Sequence, residues 1–261
     1  MKRDYGQRGE AGEWRRSAQF RFYEELNDFL PADRRKRAFV QTFDGTPAVK
    51  DVIEAIGVPH TEVDLILVDG ASAGFGHRLQ GGERVAVYPV FERLDIAAVN
   101  RLRPRPLREP RFIADVHLGK LARYLRLLGF DTVYATDLDD AGIASRAATE
   151  RRIVLTRDRG LLKRSQVTHG ICLRSQDPRR QLVETVDRLD LRARIAAFTR
   201  CMVCNGALEA VPESAVSREL PAGIRGRYET VTRCPDCGRL YWPGSHYDRL
   251  SALVGSLDGD A

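Results

Sequence analysis

The sequence predicts an α/β protein of three modules in series, and three observations carry the prediction. Strand-like alternation dominates residues 17–96. Short apolar strands alternate with helical stripes over 111–191. Two Cys-x₂-Cys pairs stand in the last quarter of the chain. The 261 residues suit two ordinary domains, or one large and two small ones. A composition of 43% hydrophobic and 30% charged residues places the chain with globular proteins, not disordered or membrane ones. No apolar run approaches the ~18 residues of a spanning helix. The first thirty residues lack an apolar stretch ending in a small-residue cleavage site, so a cytoplasmic protein without a membrane partner is expected.

After a loosely ordered tail over 1–16, the first module is expected at 17–98. Ala18–Tyr23 (AQFRFY) alternates as a strand and Arg37–Thr42 (RAFVQT) alternates again, which predicts a hairpin. Asp44-Gly45-Thr46-Pro47 opens a helix with Ala48, Val52, Ile53 and Ile56 on one face, and Gly57 and Pro59 end it. Asp64–Val68 (DLILV), a turn at Asp69-Gly70 and a last strand at 84–90 (RVAVYPV) complete the order β-β-α-β-β, that of a ubiquitin-like β-grasp. LILVDG (65–70) and LQGGERVAVYPV (79–90) resemble the small sulfur-carrier proteins of thiamine and molybdopterin synthesis. Those carriers work through a free terminal Gly-Gly, whereas Gly81-Gly82 here precede a strand, so the carrier role is excluded at that point. A structural or protein-binding appendage is the expected role, and deletion of residues 1–100 is expected to leave the activity of the remaining modules intact. Residues 99–110, with three prolines and four arginines from Asn100 to Pro110, read as a linker.

The second module, 111–196, alternates strand and helix. Arg111–Asp115 (RFIAD) is a strand, and Leu118, Leu121, Leu125 and Leu128 form one helical stripe closed by Gly129. Thr132–Ala135, Ile153–Thr156 and Gly170–Arg174 are further strands, with helices at 139–150, from Gly160, and from Asp177 to Leu191. Such alternation predicts a parallel sheet covered on both faces. Residues 101–200 carry 22 Lys and Arg against 12 Asp and Glu, while each flank is slightly acidic. Arginine's planar fork suits phosphate, so a polyanion is the partner this distribution favours.

Ligands of parallel sheets gather beyond the carboxyl ends of the strands. The sequence puts Asp115, Asp158 and Asp177 there, with Asp139-Asp140 opening a helix. Each alone suits a helix cap. Several on one sheet edge would repel unless cations shared the site, and carboxylate oxygens suit Mg²⁺ or Mn²⁺. A hard cation in a basic domain points to phosphodiester hydrolysis by an activated water. Lys120, Arg123, Arg126, Arg157 and Arg159 are the cations placed to hold the polyanion, Lys120 best of all.

Cys201-x₂-Cys204 and Cys234-x₂-Cys237, 29 residues apart, offer four soft ligands for a structural Zn²⁺. The gap exceeds the commonest spacing of about 15–20 residues, and a β-hairpin across Ala207–Thr232 would span it. Cys172, in an apolar strand, reads as a small buried residue. Tyr241 and Trp242 are either base-stacking side chains or ribbon core, with the core reading favoured for Trp242. The third module is therefore a zinc ribbon with a C-terminal tail, 197–261.

Three motifs taken together, RFIADVHLGKLARYLRLLGFDT (111–132), DDAGIASRAATERRIVLTRDRGLLKR (139–164) and RCMVCNG with RCPDCGRLYWPGSH (200–246), closely resemble one family. It is the prokaryotic RNase family named for the C-terminal region of the worm mutator-seven exonuclease. The resemblance implies a PIN-like nuclease fold with a zinc ribbon, a β-grasp companion and metal-dependent ribonuclease activity. By motif, Asp115, Asp140 and Asp158 match the catalytic, metal-holding acids, and Asp177 is a weaker fourth; Asp139 is an alternative to Asp140. His246 matches a terminal histidine of the family. Lys120, Arg123, Arg157 and Arg159 are the expected phosphate contacts. The implied partner is RNA, with tRNA or the ribosome as settings. A non-catalytic RNA-binding or ribosome-associated protein is the competing reading, and an adaptor acting through the β-grasp module is a third.

Overall fold

The computed structural model describes residues 7–8, 14–89, 102, 110–134 and 136–258. Most of the 1–16 tail and of the 99–110 linker lies outside them. Two compact units form, Met1–Arg108 together with Asp158–Cys172, and Glu109–Arg157 together with Leu173–Ala261.

In the first unit, β1 (Gln7–Arg8), β2 (Trp14–Phe22), β3 (Phe39–Phe43), α1 (Val49–Ile56), β4 (Val63–Val68), β5 (Ala71–Ser72) and β6 (Arg84–Pro89) follow in order. The sheet runs β1-β2-β6-β4-β5, with β3 also on β2. The expected hairpin is present as the antiparallel β2–β3 pair, and β2 and β6 are parallel. This mixed sheet with one helix is a β-grasp. Alternation along β6 buries Val85 and Val87, and the apolar stripe of α1 buries Val49, Val52 and Ile53 with them. Gly81 and Gly82, at φ +100° and +95°, turn the chain into β6, where the Gly82 N–H donates to the Ser17 carbonyl at 2.7 Å.

In the second unit, β7 (Phe112–Ala114) leads through a 3₁₀ turn, Val116–Leu118, into α2 (Gly119–Leu127). Then come β8 (Thr132–Tyr134), α3 (Asp140–Glu150) and β9 (Ile153–Thr156). β7 pairs in parallel with both β8 and β9. The predicted leucine stripe of 118, 121, 125 and 128 is fully buried, and Ile143 and Ala147 of α3 are buried.

Residues 158–172, with α4 (Arg159–Leu162) and β10 (Gly170–Cys172), pack with the β-grasp elements. The Cys172 N–H donates to Glu62 Oε1 at 2.5 Å, and the Lys163 ammonium to the Glu54 carbonyl at 2.6 Å. His60 is buried, with Nε2 2.9 Å from the Val167 carbonyl and Nδ1 2.6 Å from Glu54 Oε1. Arg159 lies over the Phe29 ring at 5.0 Å. Deleting residues 1–100 would orphan these groups. The expected result is faster amide exchange across 158–172 and weaker RNA cleavage, measured on the truncated chain, in place of the intact activity anticipated from sequence. Exchange and cleavage both unchanged would refute this.

The second unit continues with α5 (Pro178–Arg188), shorter than the expected run to Leu191. A ribbon follows: β11 (Glu209–Pro212), α6 (Glu213–Val216), β12 (Thr230–Arg233) and β13 (Leu240–Tyr241). The antiparallel β11–β12 pair is the hairpin that spans the cysteine gap. Val216, Leu220 and Val231 form its core, with Trp242 packed against them, as the core reading had it. The expected C-terminal tail is instead α7 (Ser245–Asp258), whose Tyr247 ring lies 4.5 Å from that of Phe198. No helix among the described residues is long and apolar enough to cross a membrane.

Candidate active site and metal centre

The aspartates singled out in the sequence stand at the starts of helices, where a short carboxylate satisfies orphan N–H groups. Asp115, at the end of β7, is buried, and both its oxygens are engaged. Oδ1 accepts from the Val116 N–H at 2.6 Å and Oδ2 from the Thr156 hydroxyl at 2.7 Å. Asp139 caps α3 through the Gly142 N–H at 2.8 Å, which leaves the half-buried Asp140 as the first residue inside the helix. Asp158 caps α4 through the Gly160 N–H at 2.7 Å. Asp177 caps α5 by accepting from the N–H groups of Arg179 and Arg180 at 3.0 and 2.9 Å. No three carboxylates among the described residues converge as closely as the cysteine sulfurs do.

A cleft of about 420 Å³ opens beside Asp115 and Asp177, in their own unit. It is walled by the turn and first residues of α2, by Tyr134, and by Gln176, Pro178 and Gln181 at the start of α5. Lys120 and Arg123, both expected to hold phosphate, line it. Arg157 is exposed at the end of β9, and Arg159 is the cation stacked on Phe29. A hard oxygen donor such as Asp115 fits Mg²⁺ or Mn²⁺ in kind, because Mg²⁺ needs only one or two carboxylates and keeps several waters.

Arg126 takes a different position from the one expected of it. It is buried, not solvated, and lies outside the phosphate-holding set. Nε donates to the Thr132 carbonyl at 2.8 Å, and Nη1 to the carbonyls of Val203 and Met202 at 2.7 and 3.3 Å. The sequence places it among the cations set to hold the polyanion, or on a solvated helix face. Two of its three acceptors lie 76 and 77 residues away, in the first cysteine turn.

That turn and its partner are built alike. The Asn205 N–H donates to the Cys201 carbonyl and the Gly238 N–H to the Cys234 carbonyl, at 3.0 and 2.9 Å. Asn205 and Gly238 both take positive φ, +75° and +72°. The four sulfurs lie within 4.8 Å of one another, with Cys201–Cys237 and Cys204–Cys234 at 3.7 and 3.4 Å. A tetrahedral zinc with bonds of ~2.3 Å has S–S edges of about 3.8 Å, so the cage fits zinc. Burial opposes ionisation of Cys201, but the amides of Cys204 and Val203, with the Tyr241 hydroxyl, outweigh it and bring the thiol to about 6. Burial and its three neighbouring thiols push Cys204 up to about 12. Crowded thiols that resist ionising together are what a divalent soft cation resolves. Tyr241 is thereby tied to the metal centre, its hydroxyl 3.1 Å from Cys201 Sγ, and His246 is exposed in α7.

The first cysteine turn is also joined to the parallel sheet. Asn205 Nδ2 donates to Asp131 Oδ1 at 2.7 Å, and its Oδ1 accepts from the Thr132 N–H at 2.9 Å. Burial works against the Asp131 anion, yet hydrogen bonds from Arg152 and Asn205 hold its carboxyl below the usual range. Gly129 closes α2 at φ +92°, where an added Cβ would lie 2.3 Å from the Ala196 carbonyl oxygen.

A parallel α/β sheet with aspartate-capped helices, followed by a four-cysteine ribbon and preceded by a β-grasp module, defines a modular class of α/β proteins with an appended ubiquitin-like domain. Residues 110–254 match the Mut7-C RNAse domain and residues 15–95 the Mut7-C ubiquitin domain. The chain belongs to the Mut7-C RNAse domain family, which makes nuclease chemistry its activity class. Two crystal structures, of H. volcanii small archaeal modifier protein 1 and of SAMP1 from Haloferax volcanii, are similar to part of it. Identities are 18% and 19%, each alignment covers 29% of this chain and 99% and 96% of theirs, and both TM-scores are 0.24. No curated protein matches the chain.

Proposed function

We propose that the protein is a metal-dependent endoribonuclease whose reaction is centred on Asp115 at the head of the basic cleft. The observation that carries this reading is a buried carboxylate, oriented by the Thr156 hydroxyl, next to a cleft holding Lys120 and Arg123. Asp115 is the principal Mg²⁺ or Mn²⁺ ligand in this reading, with Asp140 and Asp177 contributing from the same unit. The sequence motif adds Asp158, two residues beyond Thr156. A divalent cation, when bound, supplies Lewis-acid chemistry at the phosphoryl group. Thr156 fixes the carboxylate's rotamer, and Lys120 and Arg123 offset charge on the RNA backbone. RNA is the partner, with tRNA or ribosomal RNA as settings. The β-grasp module adds a protein-binding surface, proposed on its fold class alone.

Asp115→Asn keeps the size of the side chain, with its oxygen accepting from the Val116 N–H and its amide donating to the Thr156 hydroxyl oxygen, so folding and RNA binding should persist. Cleavage of a labelled RNA in Mn²⁺ should fall about a hundredfold or more. Full activity in the folded variant would refute the catalytic assignment. RNA binding that survives chelation, without cleavage of any RNA, would favour the non-catalytic alternative.

A further inference from the structure

We propose that the cleft beside Asp115 is a pocket for one unpaired nucleotide, with phosphate held by Lys120 and Arg123 and the base set against Tyr134. This deepens the nuclease reading and rests on it for the placement of the scissile bond. Three features of the cleft support it.

The first is uncompensated charge. Among the described residues, Lys120 and Arg123 have neither an ion-pair nor a hydrogen-bond partner, and no carboxylate lines the cleft. Two cations at one concavity favour an anion there, and arginine's fork with lysine's point charge suits phosphate.

The second is a fixed aromatic wall. The Tyr134 hydroxyl donates to the Val116 carbonyl at 2.8 Å. Its phenol end occupies the space beside Gly119, where a Cβ would approach Oη to 2.8 Å. Glycine at 119 therefore admits the ring, and the hydrogen bond holds it. A preset aromatic surface gives stacking without the entropy of ordering it.

The third is size. About 420 Å³ falls near the lower end of small-ligand sites, which span roughly 300–1,000 Å³. A duplex keeps its bases stacked inside, so only an unpaired nucleotide presents a base to a concave wall. Gln176, exposed just before α5, offers an amide group to a base edge, while the buried Gln181 amide is held by the Ser175 carbonyl at 2.9 Å and shapes the floor.

The experiment is calorimetric titration of the full, zinc-loaded chain, without added Mg²⁺ or Mn²⁺, with AMP, ribose 5-phosphate and inorganic phosphate. AMP should bind about tenfold or more tighter than ribose 5-phosphate, the margin a stacked base supplies. Tyr134→Ala should erase that ratio. Lys120→Ala with Arg123→Ala should weaken all three ligands alike, by about tenfold or more. Photocrosslinking of 5-bromouridine monophosphate to the unaltered protein should label Tyr134, which keeps the test open if Tyr134→Ala misfolds. Equal affinity for AMP and ribose 5-phosphate, or a crosslink confined elsewhere, would overturn the pocket. RNA cleavage without AMP binding also sinks the pocket and spares the nuclease reading. Tyr134-dependent AMP binding in a protein that cleaves no RNA does the reverse.

Discussion

Removing zinc from the loaded four-cysteine cage is expected to lower the melting temperature by about 10 °C or more and to loosen the parallel sheet as well as the ribbon. The reason lies in what the first cysteine turn holds. Its carbonyls at Met202 and Val203 accept from the buried Arg126 guanidinium, and Asn205 bridges Asp131 and the Thr132 N–H. When the cage opens, this turn loses its fixed shape and Arg126 loses acceptors. Leaving a buried charge unpaired costs about 3–5 kcal/mol, more than any exposed ion pair of the chain contributes. Structural zinc contributes on the order of 10 kcal/mol in small fingers, so the sulfur cage outweighs the rest of the ribbon's small core. Elemental analysis should find one zinc per chain. Chelation, or Cys204→Ser, should then raise amide exchange in 201–206, in 234–239 and at the C-terminal end of α2. A verified zinc-free protein with an unchanged melt would contradict the coupling.

Gly129→Ala should destabilise the second unit by about 3–5 kcal/mol. Two costs combine, and their sizes differ. The left-handed backbone at φ +92° costs a non-glycine residue roughly 1–2 kcal/mol. The larger cost is steric, since the new Cβ would sit 2.3 Å from the Ala196 carbonyl oxygen and 2.8 Å from Thr199 Oγ1. Relief requires the 196–199 segment to move off α2, which breaks the Ala196 N–H to Leu128 and Phe198 N–H to Leu127 bonds at 3.0 and 2.8 Å. Gly226→Ala separates the terms. Its φ is +70° and nothing lies within 4 Å of the added Cβ, so only the conformational cost remains. Urea midpoints compare the two variants. Equal losses would show that the close approach at Gly129 carries no weight.

Much of the local geometry around the candidate site was legible because its determinants are local. Asp115, Asp139, Asp158 and Asp177 each precede a helix that they cap, and a cap acts within three residues of itself. The Cys-x₂-Cys turns are local too, with bonds that close within five residues. Arg126 and Tyr241 were misplaced or left open because their partners are remote. A polar residue on an apolar helix looks the same whether it meets water or a carbonyl 77 residues away. Gly119 carried no signal, since its φ is ordinary and its need arises only from Tyr134.

Sequence by itself determined the order of the main strands and helices through α5, the capping aspartates, the ribbon's sulfur ligands and the separation of basic from acidic stretches. Tertiary structure alone decided that residues 158–172 pack with the β-grasp elements, that Arg126 joins α2 to the first cysteine turn, and that Tyr134 walls a cleft with unpaired cations. The physical reason is range. Periodicity and spacing encode which face an element buries and how a turn closes, whereas the partner of a buried polar group depends on which distant surfaces meet.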